Sequence, residues 1–212
     1  MKYIIMCGGF HVGADPKQLW KIDKETTLIR ALRLLRGLDE NNIIISCNNP
    51  IFGKFGTIVL QPDDPKPTCW LDGAFPILDE DPVTYIFGDV FFSPNAMKTI
   101  VEAEVSDIEF FASAPPFSHD YPKKYAEPFA FKVTNVQHFR EAIDETKRLY
   151  KAGRLRRCIS WELWQVIKGT PLNHIDYTNY TVINDYTCDV DTKDQARYLE
   201  TLVKMYGLTK EE

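Results

Sequence analysis

The chain has 212 residues, 44% hydrophobic and 26% charged, the balance of an ordinary globular protein rather than a disordered, collagen-like or membrane one. Its 25 lysines and arginines against 30 aspartates and glutamates leave a formal net charge of -5, which excludes a general basic field for holding a nucleic-acid backbone. The longest apolar runs are strand-length, far short of the ~20 residues that cross a bilayer, so neither nucleic acid nor membrane is an expected partner.

Residues 3–7, 42–47 and 57–60 are short apolar runs of the kind buried on both faces of a helix-covered sheet. Between the first two, Leu28, Ile29, Leu32 and Leu35 recur at helical spacing with Arg30, Arg33 and Arg36 on the other side, and Gly37 is the expected stop. Residues 83–87 read as a further strand followed by Gly88-Asp89, and Ser93-Pro94 is an N-cap with proline at the first helical position. Residues 107–112 follow as a strand. The second half predicts a strand over 127–133, helices over 136–151 and 160–168, and a strand over 178–184. Thr192 with Gln195 three residues later is a capping box, so a last helix starts just after Asp189-Val190-Asp191.

Alternation of this kind predicts one α/β domain with a predominantly parallel sheet, whose ligands bind at the carboxyl ends of the strands. Met1-Lys2 leads into no signal-peptide core. Cys7, Cys47, Cys69, Cys158 and Cys188 are odd in number, scattered and without a CxxC pair, which predicts neither a disulfide framework nor a zinc site and fits a reducing cytoplasm.

Three constellations fall on the expected ligand edge. The loop from Gly8 to Lys17 holds Gly8, Gly9 and Gly13; glycines let backbone N–H groups approach an anion, and a lysine neutralises phosphate charge. It matches neither the Walker pattern nor GxGxxG, and an ordinary glycine-rich turn is the competing reading. Asp89 follows the strand at 83–87, and Asp189 with Asp191 precedes the capped helix. Convergent carboxylates are what Mg²⁺ requires, although turn and helix-capping roles would explain each aspartate alone. The basic stretch Lys151 and Arg154-Leu155-Arg156-Arg157 reads first as a solvated helix end and second as a contact for a phosphorylated acceptor. Trp161 and Trp164 read as core, with stacking on a ligand as the second reading.

Taken in order, Ile4-Ile5-Met6-Cys7-Gly8-Gly9, Pro16-Lys17-Gln18-Leu19, Thr27-Leu28-Ile29, Tyr85-Ile86-Phe87-Gly88-Asp89, Trp161-Glu162 and Cys188-Asp189-Val190-Asp191-Thr192 resemble the motifs of the MobA-like and sugar-phosphate nucleotidyltransferases. The resemblance covers nearly the whole chain. It implies a single three-layer α/β/α domain of the Rossmann-like, nucleotide-diphospho-sugar transferase type, related to GT-A glycosyltransferases. Residues 1–113 would be the nucleotide-binding half, and 114–212 the acceptor-binding half with the metal-binding segment. The implied activity is Mg²⁺-dependent transfer of NMP from an NTP to a phosphorylated sugar or alcohol, with release of pyrophosphate. Lys17, Asp89 and Asp191 would carry catalysis. Asp89 and Asp191 would hold the metal, with Asp189 as alternative or supporting ligand. Cys7, Gly8, Gly9, His11, Gly13, Lys17, Gln61 and Gly88 would line the nucleotide site, and Glu127 and Glu162 the acceptor site. The loop departs from the family in placing Phe10-His11-Val12-Gly13 where an arginine usually contacts the triphosphate. A glycosyltransferase using an NDP-sugar and a catalytically silent binding protein are therefore the alternatives. The position of the Asp189-Val190-Asp191 segment near the carboxyl terminus, with Gly88-Asp89 in mid-chain, favours nucleotidyl transfer over the first. A homodimer is the base-rate expectation for a small enzyme of this class.

Overall fold

The computed structural model describes residues 1–8, 16–39, 42–60, 69–75, 82–113 and 126–208. Strand β1 (Lys2–Cys7) runs through the centre of the sheet and leads, by way of a two-residue ribbon of β2 (Lys21–Ile22) and β3 (Glu25–Thr26), into helix α1 (Thr27–Leu38). Strands β4 (Ile43–Cys47) and β5 (Ile58–Leu60) lie to one side of β1. The short helix α2 (Leu71–Ala74), strand β6 (Val83–Phe87), the two-residue β7 (Val90–Phe91) and helix α3 (Pro94–Glu102) follow. Strands β8 (Ile108–Ser113) and β9 (Pro128–Val133) precede helices α4 (Val136–Lys151) and α5 (Ser160–Lys168). The chain continues through β10 (Thr181–Ile183) and β11 (Cys188–Asp189) to helix α6 (Lys193–Tyr206).

Seven strands form one sheet in the order β10-β8-β9-β6-β1-β4-β5. All are parallel except β9, which runs antiparallel to both β6 and β8, giving the mixed sheet expected from the sequence. Helix α1 packs with α3 and α4 with α5, completing the three layers. The two-faced burial of β1 and β6 explains their unbroken apolar runs, since a parallel strand between helices has no polar face. Among the described residues no helix is long and apolar enough to cross a membrane.

Side-chain caps fix the helix starts. Thr26, Ser93, Asn135 and Thr192 each accept a hydrogen bond from a first-turn amide, and Thr192 with Gln195 makes the full capping box. Aromatic rings fill the core beneath β8 and β9. Phe110 stacks on Phe131 at 4.4 Å and meets the edge of Trp161 at 4.8 Å, while Trp161 Nε1 donates to the Ala126 carbonyl at 2.8 Å. Both Trp161 and Trp164 are therefore core residues with satisfied indoles.

Three expectations are corrected. Helix α1 passes through Gly37 and ends at Leu38, because a glycine in a last turn with open space around it weakens a helix without breaking it. Arg30 is not on a solvated face: it is 1% exposed, with its guanidinium donating to the Phe92 carbonyl and the Glu25 carboxylate and lying 4.2 Å over the Phe91 ring. A buried arginine is tolerated when its donors are all engaged, and periodicity cannot show that. Finally, Cys69 and Cys158 form a disulfide with Cα atoms 5.0 Å apart, while Cys7, Cys47 and Cys188 are buried and outside any disulfide. Three further cysteines around one bridge hide it from any spacing rule, and the bridge removes the ground on which a reducing compartment was expected.

Candidate active site

The carboxyl edge of the sheet is shaped by a close approach between β1 and the turn after β6. The Gly88 amide donates to the Met6 carbonyl at 2.9 Å, and a Cβ on Gly88 would lie 2.5 Å from Cys7 Sγ and 2.7 Å from that carbonyl. Only glycine fits. The Gly88 carbonyl in turn accepts from Thr27 Oγ1 at 2.8 Å, so the first residue of α1 holds the turn in place. Gly88→Ala should destabilise the fold by about 1–3 kcal/mol through this overpacking, measured as a lowered urea midpoint. An unchanged midpoint would refute the close approach.

Asp89 leaves this turn and Asp191 is brought to it by a ribbon between chain segments far apart in sequence. Strands β7 and β11 pair antiparallel, Cys188 with Phe91 and Asp189 with Val90, and the Val190 amide donates to the Asp89 carbonyl at 2.9 Å. A small second core of Ile22, Phe91, Val190, Leu199 and Val203 fastens α6 beneath the ribbon. Gln195 Oε1 then accepts from the amides of Asp191 and Thr192 at 2.8 and 2.9 Å, fixing the backbone that carries the second aspartate. Lys17, on the 3₁₀ turn after Pro16, closes the group: its Nζ lies 2.6 Å from Asp89 Oδ2 and 2.7 Å from Asp191 Oδ1. Burial alone would lower the Lys17 ammonium, but the two carboxylate charges and their hydrogen bonds outweigh it and hold the ammonium above its ordinary range.

Next to this group is a cavity of about 210 Å³. Trp70, Phe87, Pro128, Ile159 and Trp161 form its apolar walls, and Asp89, Asp189, Arg157 and Ser160 supply its polar groups. The Trp70 ring stacks on Phe87, with centroids 5.7 Å apart and planes 12° from parallel. The Cys69–Cys158 bridge joins the segment carrying Trp70 to the segment carrying Arg157 and Ile159, both of which line the cavity.

No protein-family model matches the chain, and no curated protein matches it either. Solved structures do. A Bacillus anthracis protein assigned as a glucose-1-phosphate thymidylyltransferase superposes with a TM-score of 0.59 at 14% identity, over 96% of this chain and 95% of that one. The inositol-1-phosphate CTP transferase from T. maritima matches at 0.56 and 13%, over 96% of each chain. A Mycobacterium tuberculosis protein determined in complex with manganese matches at 0.53 and 15%, over 94% and 97%. The chain has the nucleotidyltransferase fold.

Against that fold, the residues singled out in the sequence divide into four groups. Lys17, Asp89 and Asp191 are in contact, and Asp189 lies two positions before Asp191, on the ribbon, and lines the adjoining cavity. Gly8, Cys7 and Gly88 sit at the end of β1 and the turn packed on it; burial, helped by the Asp89 charge, pushes the Cys7 thiol well above its ordinary pKa, so it is a neutral packing group. Glu127 and Glu162 are buried and hold other protein groups: Glu127 Oε2 accepts from the Asp189 amide at 3.0 Å, and Glu162 Oε1 accepts from Arg157 Nε at 3.1 Å. Gly9, His11, Gly13 and Gln61 lie outside the described residues.

Asp89 and Asp191 also fit a divalent cation. Their oxygens already converge on one positive atom, and Mg²⁺ or Mn²⁺ is commonly held by one or two carboxylates with phosphate and water completing the shell. Among the described residues there is no group of three or more His, Cys, Asp or Glu side chains suited to a metal. Sequence reasoning missed Trp70 and Ile159, which carry no motif, and saw Phe87 only as the end of a strand before Gly88-Asp89. Arg157 was visible only as part of a basic stretch.

Proposed function

We propose that the protein is a divalent-metal-dependent nucleotidyltransferase, moving an NMP group from an NTP to a phosphorylated sugar or alcohol. The observation that carries this reading is the contact of Lys17 with both Asp89 and Asp191 beside a cavity at the carboxyl edge of the sheet. Two of the fold neighbours are named for glucose-1-phosphate and inositol-1-phosphate, which supports the acceptor class.

In the proposed reaction an oxygen of the acceptor phosphate attacks the α-phosphorus of the NTP. A new P–O bond forms, the bond from the α-phosphorus to the bridging oxygen breaks, and pyrophosphate leaves with the electron pair. No protein base is needed, because a phosphomonoester is already ionised near neutral pH. Asp89 and Asp191, with Asp189 in support, would hold the metal, which when bound neutralises charge on the phosphate oxygens. Lys17 stabilises negative charge as it builds on the triphosphate, and the backbone at the end of β1 by Gly8 binds the phosphates. The first half of the chain thus serves the nucleotide and the second half the acceptor.

Thermal melting with each of the four NTPs, with and without Mg²⁺ or Mn²⁺, tests this directly, since a ligand bound only by the folded state raises its stability. A metal-dependent rise with one nucleotide is expected. Silence with every triphosphate, together with a rise from NDP-sugars, would replace the proposal by glycosyl transfer or simple binding.

A further inference from the structure

We infer that Arg157 is the residue that selects a phosphorylated acceptor, and that Glu162 is the positioning residue that aims it. The inference rests on the transferase reading and assigns the cavity's anion contact. Among the described residues Arg157 is the sole cationic side chain lining a cavity whose other charged groups, Asp89 and Asp189, are negative. Without it, a dianionic acceptor would meet among those residues carboxylates, the Ser160 hydroxyl and apolar walls.

The geometry of the arginine is set from behind. Glu162 is 5% exposed and takes Arg157 Nε at 3.1 Å, while the Arg157 side chain is 42% exposed. That bond uses one of five guanidinium N–H groups and orients the planar fork, leaving both terminal nitrogens for an oxyanion, which a guanidinium binds through paired hydrogen bonds. The second carboxylate oxygen, Glu162 Oε2, is buried with no hydrogen-bond partner. A buried half-satisfied carboxylate is costly, and its retention is explained if its task is to fix a cation beside it. The backbone is fixed as well, because the next residue, Cys158, is bridged to Cys69.

Isothermal titration with inorganic phosphate and with glycerol 3-phosphate tests the assignment in wild type, Arg157→Lys and Glu162→Gln. Arg157→Lys keeps the positive charge beside Glu162 but loses the fork, and Glu162→Gln keeps an oxygen for Nε but loses the anchoring charge. Arg157→Lys should weaken both ligands about tenfold or more, and Glu162→Gln severalfold, with the nucleotide-induced rise in melting temperature unchanged in both. In turnover, both should raise the acceptor KM and leave the NTP KM unaltered, a split that loss of structure would not produce. Equal phosphate affinity in wild type and Arg157→Lys, with nucleotide binding intact, overturns the inference and leaves the transferase reading standing. Loss of nucleotide binding in the wild-type protein itself is the separate result that overturns that reading.

Discussion

Replacing Asp89 by alanine or asparagine is expected to lower turnover at least ~100-fold, because it removes a carboxylate that faces both Lys17 and the cavity in a reaction that depends on charge placement. The fold should survive. Asp89 joins the ribbon through its backbone carbonyl, which Val190 bonds, and that bond is indifferent to the side chain. Lys17 keeps Asp191 as a partner at 2.7 Å. The measurement is steady-state release of pyrophosphate alongside a melting curve. A variant that melts like the wild type and turns over near the wild-type rate would remove Asp89 from the chemistry. Asp189→Asn should be milder, since Asp189 lies beside the lysine cluster rather than in it.

The second large effect concerns stability. The Cys69–Cys158 bridge closes a loop of sequence separation 89, for which chain-entropy reasoning gives about 4–5 kcal/mol and measured bridges usually give ~2–4. Reduction, or Cys158→Ser, should therefore lower the unfolding free energy by several kcal/mol and the melting temperature by roughly 10 °C. Denaturant melts with and without reductant check the size. Alkylation in denaturant checks the bridge itself: three of the five cysteines should label before reduction and all five after. Five labelled at the outset, with no change in midpoint, would show two separate thiols.

The parts of the molecule legible in the sequence were those whose signals are local. The apolar runs of β1 and β6, the cap at Ser93 and the capping box at Thr192 name their elements without reference to the rest of the chain, and each is found where its residues place it. The ribbons β2–β3 and β7–β11 were not legible, since two residues per strand carry no periodicity. Arg30 was misplaced for a related reason: its burial depends on Phe92 and Tyr186, residues 62 and 156 positions away. The candidate site divides the same way. Asp89 and Asp191 stood out by their neighbours in sequence, whereas the apolar walls at Trp70 and Phe87 exist only through packing. Glu127 and Glu162 entered through the resemblance alone, and nothing local in the sequence shows the hydrogen bonds they accept from the Asp189 amide and from Arg157.

Lys17 and Asp191 are 174 positions apart, and the strand that precedes the lysine is flanked in the sheet by segments made later. During synthesis β1 must wait for β6, and the lysine must wait still longer for the ribbon and α6 to reach it. The lysine–carboxylate cluster is therefore completed late, and a ribosome that aborts anywhere before residue 191 releases a product able to hold at most part of this charge arrangement.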